Sequence, residues 1–357
     1  MTSLGYPIYF FLPADLWPEE LPSSPNENWP GYGLGMYAWT VQTYLRLRAA
    51  GTACQLTERL PDEGIVLCHS NVLRSVQCVP APRRFLICMK AEAPLSAIAP
   101  MHVVQNPTEA SRVANCYFLP HWPQPQLIPR DPARGDRFET IAFFGHQNSL
   151  APELMSHAWQ VALAERGLRS RTISNTNPWH QYEKVDASWN DYHDVDAVVA
   201  VRSFSAVQQV VTGGFSNKPA TKLYNAWLGG VIPILGTESA YRQTGQPGET
   251  YLEVRSFSEL LDGLDRLRSD AAARHLLIAH GQAQAEQYRP ENIVREWQTF
   301  LEKVAIPSYL QWCEYGSWQQ QRALAVAKVA SVWNRAVRRG QQQILRSFSN
   351  GQMSVTT

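Results

Sequence analysis

The chain lacks any window approaching eighteen apolar residues, so no segment reads as a transmembrane helix. Its cysteines, Cys54, Cys68, Cys78, Cys88, Cys116 and Cys313, are scattered and lie mostly inside apolar runs. None forms a CxxC pair or a Cys/His cluster with zinc spacing, and His180, Tyr192 and His193 match no metal motif. That excludes a disulfide framework and a structural metal module, and leaves the cysteines as reduced core residues. A net charge of +1, with 18% of residues charged, excludes a generally basic nucleic-acid binder; any basic surface must be local. The glycine-rich run Gly31-Tyr32-Gly33-Leu34-Gly35 is not GxGxxG and has no acidic ribose partner, which argues against a dinucleotide site. With no basic leader in its opening residues, the protein is expected in the cytoplasm, soluble or peripheral at the inner face of the membrane.

What is present is an alternation. A chain of 357 residues calls for two domains of ordinary size. Short apolar runs at 9–12, 54–57, 65–69, 85–90 and 101–105 predict strands, and residues 35–50 carry apolar residues at helical spacing up to a stop at Gly51. Residues 118–137 hold five prolines, which remove backbone donors and forbid a continuous helix or central strand; this is the predicted connector. A second series follows, with strands at 140–144, 170–173, 197–201 and 231–235 and a helix at 153–166. The expected fold is therefore α/β, with two Rossmann-like domains facing a cleft and a helical carboxy-terminal tail. The boundaries read as 1–125, 126–305 and 306–357, the tail packing back on the first domain.

The most informative stretch is NKPATKLYNAWLGGVIPILGTESAY, residues 217–241. A proline near the start of a helical run, a lysine one turn in, two closing glycines and an apolar strand predict helix, tight turn, strand and loop. A helix N-terminus offers unpaired N–H groups and partial positive charge, and Lys218 or Lys222 adds a full one. Arg202, beyond the strand that ends at Val201, supplies a second cation. Together they suit a diphosphate without a metal.

This segment resembles the donor-site region of GT-B glycosyltransferases, in which a helix, a Gly-Val/Leu-Pro turn and a short strand precede a loop that touches the sugar. Here these are residues 222–230, 231–235 and 236–239. The large retaining branch of that fold carries an E-x7-E pair, at whose positions this chain has Asn217 and Asn225. The chain thus resembles a bacterial GT-B enzyme lacking those glutamates. The resemblance implies sugar contacts from Glu238 and Ser239 and a phosphate-side loop at Gly145, within Phe143-Phe144-Gly145-His146.

In the first half, polar residues at predicted strand ends, Glu92 and His69 ahead of Asn71 and Asn106, are placed for a general base toward an acceptor. His121, beside Trp122, lies in the connector. From Tyr315 onward the chain has no acidic residue but carries Arg322, Lys328, Arg335, Arg338, Arg339 and Arg346. On a helical wheel Val326, Val329, Trp333 and Val337 share one face while Lys328, Arg335, Arg339 and Arg346 fall opposite, a basic amphipathic helix. Either the apolar face packs on the first domain, or the helix meets an anionic membrane surface or a partner.

The function expected from these readings is metal-independent transfer of a sugar, by a hexosyltransferase-like enzyme, from a nucleotide-sugar donor to a glycan or lipid-linked acceptor. That chemistry belongs to polysaccharide or glycolipid biosynthesis. No other cofactor and no nucleic-acid partner is expected. The alternatives are a sugar-nucleotide epimerase on the same fold and a non-catalytic membrane- or partner-binding protein.

Overall fold

The computed structural model describes residues 6–75, 80–175 and 185–353; Cys78 and His180 lie outside them. Two parallel sheets form the frame. The first contains β1 (Ile8–Phe11), β2 (Gln55–Thr57), β3 (Gly64–His69), β4 (Arg84–Met89), β5 (Met101–Val104) and β6 (Cys116–Phe118), in the order β2-β1-β3-β4-β5-β6. The second contains β7 (Thr140–His146), β8 (Arg169–Asn175), β9 (Ala197–Ala200), β10 (Ile232–Leu235) and β11 (Leu252–Glu253), in the order β11-β10-β9-β7-β8. All named pairings are parallel. β3 and β4 are buried throughout, as strands covered by helices on both faces must be.

The local reasons are legible. The helical run begins at Gly35–Tyr37, widens to a π-turn over Ala38–Gln42 and continues through Thr43–Ala49, ending at Gly51 with φ +82°. Helix Thr221–Leu228 closes in a Schellman turn: Val231 N–H donates to Ala226 O and Gly230 N–H to Trp227 O, with Gly230 at φ +66°. β10 starts at once behind it. Its Pro233 is tolerated because β11 pairs only with Ile234 and Leu235, so the missing N–H falls on the side where β10 is still an edge. Helix His157–Glu165 is shorter than the 153–166 expected, because Ser156 caps it after a 3-10 turn at Pro152–Met155.

The return crossing comes earlier than the expected boundary at 305. Helix Pro290–Phe300 already buries Ile293, Trp297 and Phe300 in the first sheet's core, beside Phe10 and Trp39, and helix Ile306–Glu314 adds Tyr309 and Trp312. The amphipathic pattern of 290–300 is the same whichever core it serves, so sequence alone places it in the preceding domain. The tail is one helix, Ser317–Met353, and it does pack on the first unit, though not by its apolar face. Its inward side is Gln320, Ala327 and Ser331; Ser331 Oγ donates to Leu95 O at 2.7 Å and Gln320 Nε2 to Pro82 O at 3.0 Å. Val326, Val329, Trp333 and Val337 are all exposed. Among the described residues no helix is long and apolar enough to cross a membrane.

Candidate nucleotide-sugar cleft

A cavity of about 730 Å³ lies between the two units. Its walls are strand ends and the segments that follow them: His69–Asn71 at the end of β3, Ala91–Pro94 after β4, Gln105 after β5, His121–Pro125 after β6, His146, Asn148 and Ser149 at the end of β7, and Arg202 after β9. Carboxyl-end loops of two parallel sheets therefore face each other, the place where such sheets bind ligands.

Three cations enter from the second unit. Arg202 donates from Nε to Glu238 Oε2 at 2.8 Å, and neither side chain is more than 10% exposed. Burial works against the guanidinium charge, but Glu238, Tyr241 and Glu92 more than offset it and raise its pKa. Lys218 pairs with the Glu92 carboxylate of the first unit. Lys222, in the first turn of helix Thr221–Leu228, has no carboxylate partner among the described residues. Its ammonium stands 5.6 Å from the centre of the Phe143 ring, over Gly145. Burial, then the neighbouring Arg202 and Lys218 charges, pull its pKa down to about 7. Gly145 is required there: it sits at φ +146°, and a Cβ would come within 3.0 Å of Lys222 Cε.

The loop that carries Lys218 is clasped by the first unit. Gln105 Nε2 donates to Asn217 O and Asn106 Nδ2 to Lys218 O, both at 3.0 Å; Asn106 Nδ2 also donates to Ser239 Oγ at 3.0 Å. Asn106 Oδ1 meanwhile caps helix Pro107–Arg112, so both ends of its amide are engaged. Asn217 Nδ2 donates to Glu92 O at 3.1 Å, and Asn225 Oδ1 accepts from Gln124 N at 3.2 Å. At position 217 a carboxylate has no N–H to give, so the amide serves the bracing that this chain builds there.

On the first unit's wall, Glu92 follows Ala91, whose φ of +49° is a left-handed conformation unusual for a residue with a Cβ. Burial pushes the Glu92 carboxyl up, but Lys218 and Arg202 outweigh it and hold the group ionised. His69 is different. Its Nδ1 accepts from Asn71 N at 3.2 Å, which puts the proton on Nε2, and burial followed by the Arg74 and His121 charges drives its pKa to about 3. A ring so hard to protonate is a hydrogen-bond donor in this cleft and a poor base. His121 is likewise pushed down by burial and packs edge-to-face on Trp39 at 5.3 Å. Trp39 Nε1, His69 Nε2 and Ser70 Oγ are buried without partners among the described residues, and all three residues line the cavity.

Of the residues expected at the site, the fold thus gathers Glu92, His69, Gly145, Arg202, Lys218 and Lys222 on one cavity. Glu238 and Ser239 do not line it. Glu238 is fully buried and acts on Arg202, and Ser239 is turned to the Asn106 clasp. The nearby Asp194 and Asp196 do not serve Arg202: Asp196 binds Arg130 and Arg134, and Asp194 binds Arg169 and Arg171. Sequence reading missed Trp39 and Ser70. Residues 32–35 of the glycine-rich run line the cavity, and Trp39 lies one helical turn further on. Arg335, Arg339, Arg346 and Lys328 of the tail lie on the surface, outside the cavity.

No protein-family model matches the chain, and no curated protein matches it in sequence. Solved structures do. Sucrose-phosphate synthase from Thermosynechococcus elongatus superposes with a TM-score of 0.54 at 12% identity, over 85% of this chain and 100% of that one. Anabaena Alr3699/HepE in complex with UDP-glucose gives 0.49 at 11%, over 84% and 100%. AviGT4, a glycosyltransferase involved in avilamycin A biosynthesis, gives 0.48 at 11%, over 87% and 98%. The last two are likenesses on which nothing further rests. Two parallel sheets with a cleft between their carboxyl ends, superposable along the whole of a known example, make the fold of this chain that of the GT-B glycosyltransferases.

Proposed function

We propose that the protein is a glycosyltransferase that moves a sugar from a nucleoside-diphosphate donor to an acceptor hydroxyl, using its own cations in place of a divalent metal. The observation that carries this reading is Lys222: a part-buried ammonium with no carboxylate in ion-pair contact among the described residues, at a helix N-terminus, facing a cleft large enough for a nucleotide sugar. In the transfer, the bond between the anomeric carbon and the phosphate oxygen breaks and a bond from the acceptor oxygen forms. Negative charge grows on the leaving diphosphate, where Lys222 and Arg202 act on it with Lys218 alongside. If the reaction inverts, the acceptor proton goes to Glu92, the ionised carboxylate on the opposite wall; His69 instead donates through Nε2 to substrate oxygen. Closure of the cleft protects the donor from water.

The acceptor is a glycan or a lipid-linked glycan, and the enzyme works on the cytoplasmic side. A sugar-nucleotide epimerase needs acid and base groups at the sugar, whereas Glu92 is the one carboxylate among the cavity's described lining residues. A thermal-shift screen against UDP, GDP, ADP, CMP and dTDP is the first test. Stabilisation by one diphosphate, abolished by Lys222→Ala, is expected; no shift with any of them sinks the reading and leaves a non-catalytic role. Incubation of the matching sugar donors with and without acceptor, in the presence of EDTA, then separates transfer from epimerisation and tests metal independence.

A further inference from the structure

The tail helix Ser317–Met353 packs by Gln320, Ser331 and small side chains together with Leu324, and leaves the rest of its large apolar residues as an exposed stripe. Trp318 is 69% exposed, Val329 70% and Trp333 71%, and Val326, Ile344 and Phe348 are exposed with them. At about 100° per residue these six lie within an arc of about 120° centred on Trp333, and at about 1.5 Å per residue the stripe runs about 45 Å. Arg322 stacks over Trp318 inside the stripe, with its guanidinium 5.8 Å from the ring centre. Along the other exposed side run Lys328, Arg335, Arg339 and Arg346, and no acidic residue follows Tyr315 to offset them.

We propose that this outer face is a docking surface for an anionic lipid bilayer, with the helix lying in the plane of the headgroups. Charge decides the occupant. A second copy would bring one acid-free basic tail against another, whereas a negatively charged lipid surface answers the basic flank while its acyl boundary takes the tryptophans and valines. The stripe is too short of continuous apolar residues to cross the bilayer, so it seats on it. The long Lys and Arg stems let their charges stay at headgroup level while the apolar arc sinks below. Docking also brings the cleft close to the surface, because Arg338 on this helix donates to Glu92 O at 2.7 Å. This inference does not depend on the donor chemistry, but it gives a lipid-linked acceptor a physical route to the cleft.

The test is flotation of the full chain with vesicles of neutral phosphatidylcholine or of phosphatidylcholine with about one-third phosphatidylglycerol, at low and high salt. The wild type is expected to float with the anionic vesicles at low salt and to lose most of that binding at high salt. The exposed double variant Val329→Ser/Trp333→Ser is expected to bind at least tenfold less to any vesicle. Lys328→Gln/Arg339→Gln/Arg346→Gln should lose about a hundredfold for anionic vesicles only, from about 1 kcal/mol per basic residue. Both variants are expected to keep the wild-type melting midpoint and diphosphate-induced shift, which separates failure of docking from failure of the donor site. Three results overturn the proposal: no binding to anionic vesicles at low salt, equal binding to neutral ones, or a dimer in light scattering that Trp333→Ser dissolves.

Discussion

Replacing Lys222 with methionine keeps an apolar stem of the same length and removes the ammonium, with its charge and its N–H donors. In the folded protein the ammonium titrates at about 7, against an ordinary value of 10.5, so the unfolded chain holds a proton there that the folded chain has given up between those pH values. At about 1.36 kcal/mol per pKa unit the gap sets a ceiling of about 5 kcal/mol, and relaxation and water access reduce it to about 1–3 kcal/mol. The sign follows from linkage: below pH 7 both states are protonated and the buried charge is fully destabilising, and stability recovers as pH rises from about 7 toward 10.5. Lys222→Met is therefore expected to raise the unliganded melting midpoint at pH 6 by about 2–6 °C, at about 2 °C per kcal/mol for a protein of this size. The gain should shrink by at most about 1.4 kcal/mol per pH unit between 7 and 9. The same variant should bind the cognate diphosphate at least tenfold more weakly, because a hydrogen bond to a charged group contributes about 1.5–3 kcal/mol. In the wild type, binding at pH 8 should take up close to one proton, seen as a dependence of calorimetric enthalpy on the buffer's ionisation heat. A variant that melts lower at pH 6 and still binds the diphosphate normally would refute the reasoning, since Lys222 would then be a structural side chain.

Gly145→Ala introduces a Cβ at a left-handed position and 3.0 Å from Lys222 Cε, so diphosphate affinity measured by calorimetry should fall about tenfold, with about 1–3 kcal/mol of backbone strain. Glu238→Gln leaves the buried Arg202 guanidinium without its ion-pair partner; an expected loss of about 3 kcal/mol in denaturant unfolding accompanies weaker donor binding, and unchanged stability would mean the pair does not fix Arg202. Asn106→Ala removes a helix cap, the donation that holds the Lys218 loop and a second one to Ser239 Oγ, so we expect about 1 kcal/mol less stability and a raised donor KM with a nearly unchanged kcat.

How far the sequence foretells this molecule depends on the range of the interaction involved. Strands β1–β5 and β7–β10, the glycine-stopped helices and the Gly229-Gly230 turn are local matters of periodicity and backbone freedom, and the sequence declares them; the short edge strands β6 and β11 carry too few residues to show a period. So is the nearness of Arg202, Lys218 and Lys222 to one strand edge. What sequence cannot weigh is which carboxylate meets which cation. Glu238 follows a strand in the place where sugar contacts are expected, yet it is spent on Arg202, 36 positions away, and Lys218 finds Glu92 across the cleft. A strand-end histidine reads as a base until its surroundings are known; with Asn71 N–H on one nitrogen and complete burial, His69 is a donor. The tail taught the same lesson in reverse. Its apolar face is plain on a wheel, but helices usually bury such a face, and here the contact with the first unit runs through Ser331, Ala327 and Gln320 instead.

The bond from Arg338 to the carbonyl of Glu92 ties the tail to the chemistry in a way that matters at the bench. Trimming a sticky, tryptophan-studded helix is the obvious way to make such a protein better behaved in solution. Cutting at residue 315 would also strip the brace from the strained Ala91–Glu92 corner, uncover Leu95, and take Arg338 from its place beside Glu109, the partner of the buried Lys90. A shortened protein with poor turnover would then report on a loosened corner of the cleft rather than on a missing surface, and only the full-length chain with point changes on its outer face can tell these apart.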